Sequence, residues 1–335
     1  MINWTEKSKI ENNGKGCSIP CNLCGASNIE GLSHKDRNGK YLRTVICRSC
    51  GLIWTDPRPK GKDIKDFYSK EYRREYKGIY EPKLKHIYRD AIEALQRYDL
   101  MKEVITKDDV IFDVGSGTGV FIYVLRELGC DASGIEPDVG HSRYSAEKLD
   151  VPTKIAFVED IHASNSFNII TMHHVLEHMQ DPFSILRMTR DLLKKDGFLI
   201  LEVPNAEDIR QDPHNRYHKA HLYTFNPETL ECMGKKAGFN IYKKSVAPYN
   251  GNISIILQKS NTPYPISGEL PGNFEKIKGI LNKHTPLYHF TTSIPYKKFS
   301  INAKKAIREH ILIKRFIHGK DLVDSIITDR LEKKV

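Results

Sequence analysis

The chain has 335 residues, 39% of them hydrophobic, and its 52 Lys+Arg against 42 Asp+Glu give a net charge of +10. That length allows two or so domains and a sizeable core, while no apolar run reaches the ~18 residues of a spanning helix. The N-terminus carries no hydrophobic signal segment, so a cytoplasmic protein is expected. Residues 261–335 hold 14 Lys/Arg and 7 Asp/Glu, a balance of +7 that leaves only +3 for the rest. A basic tail of this kind offers a surface to nucleic acid, to an anionic membrane in peripheral contact or to an acidic substrate; a plainly solvated face is the bland alternative.

Residues 1–16 are polar and read as a disordered leader. Residues 17–59 read as a zinc ribbon. Cys21-Asn-Leu-Cys24-Gly25 is matched after 22 intervening residues by Cys47-Arg-Ser-Cys50-Gly51. A C-x-x-C turn aims two thiolates at one point, and two such turns complete a tetrahedral site. With all four positions filled by thiolate, bound zinc would be structural. A redox or disulfide pair is the rival reading. Asn38-Gly39 marks the ribbon's hairpin tip. Cys17, Cys130 and Cys232 lack such pairing and read as ordinary cysteines.

Residues 60–105 read as a helical linker or lid: a Tyr-rich, charged stretch at 66–76, then an amphipathic helix from Leu84 to Ile105. Residues 106–260 alternate strand and helix, the pattern of a doubly wound, mostly parallel α/β sheet. Strands are expected at 110–114, 132–136, weakly at 155–158, 167–172 and 198–203. Helices are expected at 120–128, 140–149, 182–194 and 227–237, and an antiparallel hairpin at 240–246 and 252–259 closes the sheet. In residues 261–335 five prolines should break the first part into short pieces, followed by helices at 303–318 and 320–331 separated at Gly319. The stripe Leu322, Val323, Ile326, Ile327 and Leu331 reads as a packing face.

The first strand leads into Asp113-Val-Gly115-Ser116-Gly117-Thr-Gly119. A dinucleotide fingerprint would need its third glycine at position 120, which is Val120. The acid-x-G-x-G-x-G loop, and the acid-tipped strand ending at Glu136, resemble the class I S-adenosylmethionine-dependent methyltransferases. The resemblance extends through His174-Val-Leu176-Glu177-His178 and Asp181-Pro182, over roughly residues 105–260. It implies a seven-stranded Rossmann-like sheet and S-adenosylmethionine as cofactor. It also implies cofactor contacts from Asp113, Gly115, Ser116, Gly117, Gly119, Glu136 and Pro137, with Glu136 accepting the ribose hydroxyls. Met172 and His173 would add contacts from the next loop.

Methyl transfer from a sulfonium is a direct displacement, so the enzyme mainly supplies position. A hydroxyl acceptor also needs a base, for which histidine is suited. His173, His174, His178, His218 and His221 are the candidates, with His174 and His221 foremost and His178 third; a structural role is the alternative for each. The last two of the five lie in an insertion, Asp212–Tyr223, expected over the cofactor mouth. Base N-methylation is disfavoured, because Met-His-His-Val stands where an Asn/Asp-Pro-Pro-aromatic segment would be. A zinc ribbon before such a core resembles the deoxysugar C-methyltransferases and related enzymes of surface-polysaccharide pathways. Those enzymes carry a longer second domain than the residues 261–335 that follow the core here, which shifts the expectation to O-methylation of a small-molecule or glycan acceptor. Sugar C-methylation and an RNA-directed methyltransferase using the ribbon and basic tail are the alternatives.

Overall fold

In the computed structural model, residues 16–59, 82–246, 251–261 and 266–332 are described. The leader, the Tyr-rich stretch at 66–76 and the turn before Gly251 lie wholly or mostly outside them. The ribbon comprises β1 (Gly16–Cys17), β2 (Ile29–Lys35), β3 (Tyr41–Cys47), β4 (Ile53–Thr55) and β5 (Arg58–Pro59). The hairpin between β2 and β3 turns at Gly39, whose φ of 75° suits a residue without Cβ.

The helix α1 runs Leu84–Met101, ending a turn before the expected Ile105. The core follows as β6 (Val110–Val114), α2 (Val120–Glu127), β7 (Asp131–Ile135), α3 (Val139–Leu149), β8 (Thr153–Lys154), β9 (Phe167–His173) and α4 (Pro182–Leu192). Then come β10 (Leu193–Pro204), β11 (Tyr223–Thr224), α5 (Pro227–Lys236), β12 (Phe239–Val246) and β13 (Asn252–Lys259). Seven strands form one sheet in the order β12-β13-β10-β9-β6-β7-β8. β13 pairs antiparallel with both neighbours, and the other pairs are parallel. This is the doubly wound, mostly parallel sheet that the alternation predicts, in the seven-stranded Rossmann-like methyltransferase form that the resemblance implies. Two details differ. The weak strand lies at 153–154, and 158–160 is a 3₁₀ turn instead. α4 stops at Leu192, because Leu193 already pairs with Phe167 and Asp196 turns the chain at φ 60°.

The ribbon is not a separate body. Its four-stranded sheet has the order β11-β4-β3-β2, so a strand from the core insertion completes it. Cys21, Leu23, Val45, Cys47, Leu52 and Trp54 share one buried cluster with Leu222, Tyr223, Phe225 and the strands beneath.

The C-terminal part is more helical than its prolines suggest: α6 (Asn273–Lys283), α7 (Pro286–Thr291), α8 (Ile294–Ile313) and α9 (Gly319–Glu332). Pro286 and Pro295 stand in the first turn of α7 and α8, where a missing N–H costs nothing, so they start helices rather than break them. Gly319 opens α9; the interruption falls before it. Leu322, Val323, Ile326 and Ile327 are buried with Ile87, Ala91 and Leu95 of α1. The stripe is therefore a packing face, with only Leu331 exposed.

Candidate active site

Ligands of open α/β sheets lie beyond the carboxyl ends of strands, where the order reverses. Here β6 neighbours β7 on one side and β9 on the other. A cavity of about 540 Å³ opens at that point, within the range usual for small-molecule sites.

Gly115, Gly117 and Gly119 all take positive φ. A Cβ at Gly115 would lie 2.6 Å from Val175 Cγ2, and one at Gly119 2.1 Å from Ser145 Oγ. The glycines thus allow both the turn and close packing. Gly115, Ser116, Gly117, Glu136 and Pro137 line the cavity. The Glu136 carboxylate accepts from Gly117 N–H (2.7 Å) and Asp138 N–H (2.9 Å). A carboxylate has about four acceptor positions, so these two backbone donors orient the group without filling it. Ser116 Oγ is buried without a protein partner among the described residues, and Ser116 faces the same space. Ile135, Ala156, Phe157 and Val158 supply an apolar wall beside Glu136, suited to a purine. This end of the cavity fits an adenosyl group.

Three predicted contact residues are placed elsewhere. Asp113 is buried behind the loop, where it accepts from Thr171 Oγ1 (2.6 Å). Met172 is fully buried in the core, and Gly119 caps α2. None of the three lines the cavity. A strand's period of two explains Met172: its neighbour His173 faces the cavity, so Met172 faces away. Conversely, Asp90, Glu93 and Arg97 of α1 do line it, offering both charge signs to an amino-acid moiety. Their spacing of three and four places them on one helical face. That polar stripe, opposite the apolar one, was the available signal.

The other end of the cavity holds His174, His178 and His221. His174 takes φ 57°, outside the usual region for a residue with Cβ. Its Nδ1 lies 3.2 Å from Glu177 Oε1 and its Nε2 3.0 Å from Glu202 Oε1. Burial opposes its charge, but these two carboxylates outweigh it and raise the pKa to about 10. His174 is then an imidazolium at neutral pH. An imidazolium has no free lone pair, which weighs against the base role expected of His174 and toward a charge held at this end of the cavity. Burial would raise the Glu202 carboxyl, yet His174 and Arg97 hold it well below the usual range. Burial depresses His221 well below 6.5, and the neighbouring His178 and His218 add to this. His221 is therefore neutral. His178 Nδ1 sits 2.8 Å from the Ala220 carbonyl. Nδ1 donates there, and Nε2 lies 3.9 Å from Glu177 Oε1. His218 is buried, with its pKa lowered by burial and then by Arg37 to about 4; it packs on His221 at 3.7 Å between ring centroids. Glu177, His178 and His221 also bring three donor atoms within 4.8 Å of one another, a spacing that a divalent cation can bridge.

The ribbon holds this end in place. Thr55 N–H donates to Leu222 O (3.0 Å), Thr55 Oγ1 to His221 O (3.3 Å) and Arg37 N–H to Tyr217 O (2.8 Å). Leu222 N–H in turn donates to Glu177 O (2.9 Å). The Arg58 guanidinium lies 3.9 Å over the Tyr223 ring. At the ribbon's base, Cys21 Sγ lies 3.5 Å from Cys50 Sγ and Cys24 Sγ 3.5 Å from Cys47 Sγ. All four sulfurs are within 4.8 Å of one another. A tetrahedral zinc with Zn–S of about 2.3 Å sets its sulfurs about 3.8 Å apart. The cluster suits such a metal and is too open for disulfides. Cys130 and Cys232 are free and buried and form no part of the four-sulfur cluster.

Residues 82–244 match the family model described as a methyltransferase domain. The matched stretch, a little under half of the chain, takes in α1 and is similar to a class I S-adenosylmethionine-dependent methyltransferase domain. Over 163 residues the chain is 29% identical to a tRNA U34 carboxymethyltransferase of Helicobacter pylori, covering 44% of this chain and 62% of that protein. Over 107 residues it is 32% identical to a ubiquinone biosynthesis O-methyltransferase of Actinobacillus pleuropneumoniae, covering 28% of this chain and 45% of that one. The chain therefore spans less than two thirds of either relative. Among solved structures, magnesium protoporphyrin IX methyltransferase from Synechocystis PCC 6803 superposes with a TM-score of 0.46 at 12% identity, over 60% of this chain and 100% of that one.

Proposed function

We propose that this protein is an S-adenosylmethionine-dependent methyltransferase that O-methylates a sugar or glycan precursor in cell-surface polysaccharide biosynthesis. The observation that carries the reading is one continuous cavity with an adenosyl-shaped end and a histidine end. When bound, S-adenosylmethionine supplies an electrophilic methyl group. Glu136 holds the ribose hydroxyls, Ser116 and the glycine loop fix the nucleoside, and Asp90, Glu93 and Arg97 orient the amino-acid moiety. His178 Nε2, or the neutral His221 ring, takes the proton of the acceptor hydroxyl. Both line the cavity, and burial keeps His221 neutral, whereas His174 lies between two carboxylates. His174 instead presents a fixed positive charge toward the acceptor. The polar lining suits a hydroxylated acceptor, and the O-methyltransferase among the relatives supports attack by oxygen. Zinc at Cys21, Cys24, Cys47 and Cys50 has a structural part, since the ribbon carries no open ligand position.

The test is incubation with S-adenosylmethionine and a panel of sugar nucleotides and oligosaccharides, read by mass spectrometry. One added methyl on a hydroxyl is the expected product. The second reading, an RNA acceptor, is favoured by the tRNA-modifying relative. Methyl incorporation into RNA with none into any sugar would replace the first reading by the second.

A further inference from the structure

Helix α8 carries an apolar ridge that nothing among the described residues covers. Tyr296, Phe299, Ala303, Ile307 and Ile311 recur every three or four residues and so share one face. The four large side chains are 63%, 76%, 62% and 56% exposed. Leu287 and Phe290 of α7 and Ile317 beyond α8 are exposed as well. Monomeric proteins rarely leave so many large apolar groups together in water. The opposite face of α8 is the one that packs. Its sole acid, Glu309, is buried in a bidentate pair with Arg89 of α1 (2.7 and 3.1 Å), and Leu312 and Ile313 join the core.

Charge decides among occupants. Between 294 and 315 there are seven Lys/Arg and one acid, and that acid is already paired. Lys297, Lys304 and Arg308 fall on one flank of the ridge at helical spacing. A helix with apolar groups along one face and Lys/Arg beside it lies flat at an anionic bilayer, its ridge among the acyl chains and its cations at the headgroups. A symmetric pairing of two copies would set the cationic flanks against each other. RNA would gain little from isoleucines, which offer no ring for stacking. No helix of the described residues is long and apolar enough to cross a membrane, so the contact is a peripheral one.

We propose that α8 is an interfacial helix that docks this protein on the surface of an anionic membrane. The docking has a consequence for the cavity. α8 is tied at one end to the segment that leads into the acceptor insertion, where Lys298 Nζ lies 3.4 Å from Arg210 O. Further along, Glu309 ties it to α1, which lines the cavity with Asp90, Glu93 and Arg97. The surface that meets the lipid is thus coupled to both ends of the cavity.

The test is co-sedimentation of the full chain with phosphatidylglycerol–phosphatidylcholine vesicles and with pure phosphatidylcholine vesicles. Binding to the anionic vesicles is expected, weakened by salt at about 1 M, where screening acts within about 3 Å. The double variants Phe299→Ser/Ile307→Ser and Lys304→Glu/Arg308→Glu should each lower the bound fraction at least about tenfold. Both should keep wild-type S-adenosylmethionine affinity and circular dichroism, since neither pair touches the cavity; a lost spectrum is answered by the single Phe299→Ser variant. The proposal is overturned if the chain ignores anionic vesicles, or if the first double variant binds them like wild type. It is also overturned if light scattering shows a stable dimer that this variant dissolves, or if the basic flank binds RNA and not vesicles.

Discussion

At the glycine-loop end of the cavity, the loop and the key carboxylate come from two adjacent strand ends within residues 114–137, with α1 and Ala156–Val158 beside them, and backbone N–H groups fix that carboxylate. At the histidine end they come from the β9 loop and the insertion before β11. These segments are held together by a ribbon from far upstream. The first end is a local construction and the second a tertiary one. A perturbation of the ribbon should therefore spare the first and disable the second.

Removing the metal tests this contrast with the largest expected effect. Cys47→Ser, or chelation, should release about one zinc per chain. Methyl transfer should fall to background, because β4 loses its grip on Leu222 and His221. Calorimetry should still find S-adenosylmethionine bound within about threefold of wild type. Equal loss of both would show that the ribbon supports the whole sheet, and full zinc content in a Cys21→Ser/Cys47→Ser variant would remove the metal assignment.

His178→Ala and His221→Ala sharpen the contrast from within the acceptor end. One of them should lower kcat by about 10²–10⁴ with cofactor affinity unchanged, as expected for a lost base. If both variants turn over like wild type, the enzyme works by positioning alone. The reverse pattern is expected of Glu136→Ala. Losing hydrogen bonds to a charged group costs roughly 1.5–3 kcal/mol, about a tenfold to hundredfold loss of cofactor affinity. Undiminished binding would place the ribose elsewhere.

The smallest effect concerns the C-terminal support of the insertion. Arg216 Nη2 lies 2.6 Å from His284 Nδ1, and His284 Nε2 lies 3.0 Å from His289 Nδ1. Arginine can only donate, so His284 must be neutral with its proton on Nε2. Burial, then the charges of Arg216 and His289, lower its pKa from 6.5 to about 4. The unfolded chain therefore binds more protons than the fold between those values. Stability from this group is complete above about pH 6.5 and is lost as pH falls toward 4, by at most a few kcal/mol. Thermal melts across that range should show the slope, and His284→Gln should flatten it; an equal slope in the variant would exclude His284 as its source.

The legible parts of this protein were those encoded by short-range patterns. The paired C-x-x-C-G turns, the glycine loop and the acid at Glu136 each lie within a few residues, where backbone geometry dictates residue type. The alternation of strands and helices in 110–259 is likewise periodic and reads directly. The helix starts at Pro286 and Pro295 were misread as breaks, since a proline's effect depends on whether a helix follows it. Arg97 and Glu202 left little trace, because their roles depend on partners distant in the chain.

Sequence by itself determined the sheet, the cofactor loop and the metal-ready ribbon, because hydrophobic period and turn chemistry act locally. Only the tertiary structure decided the charge states of the histidines. Five of them looked alike as letters. Two carboxylates, Glu177 from the turn after β9 and Glu202 from β10, make His174 a cation, while burial beside other imidazoles keeps His221 neutral. A pKa is set by desolvation and by neighbouring charges, and both are properties of the folded surroundings. The same holds for α8, whose apolar ridge is recognisable as exposed only once its other face is seen to pack.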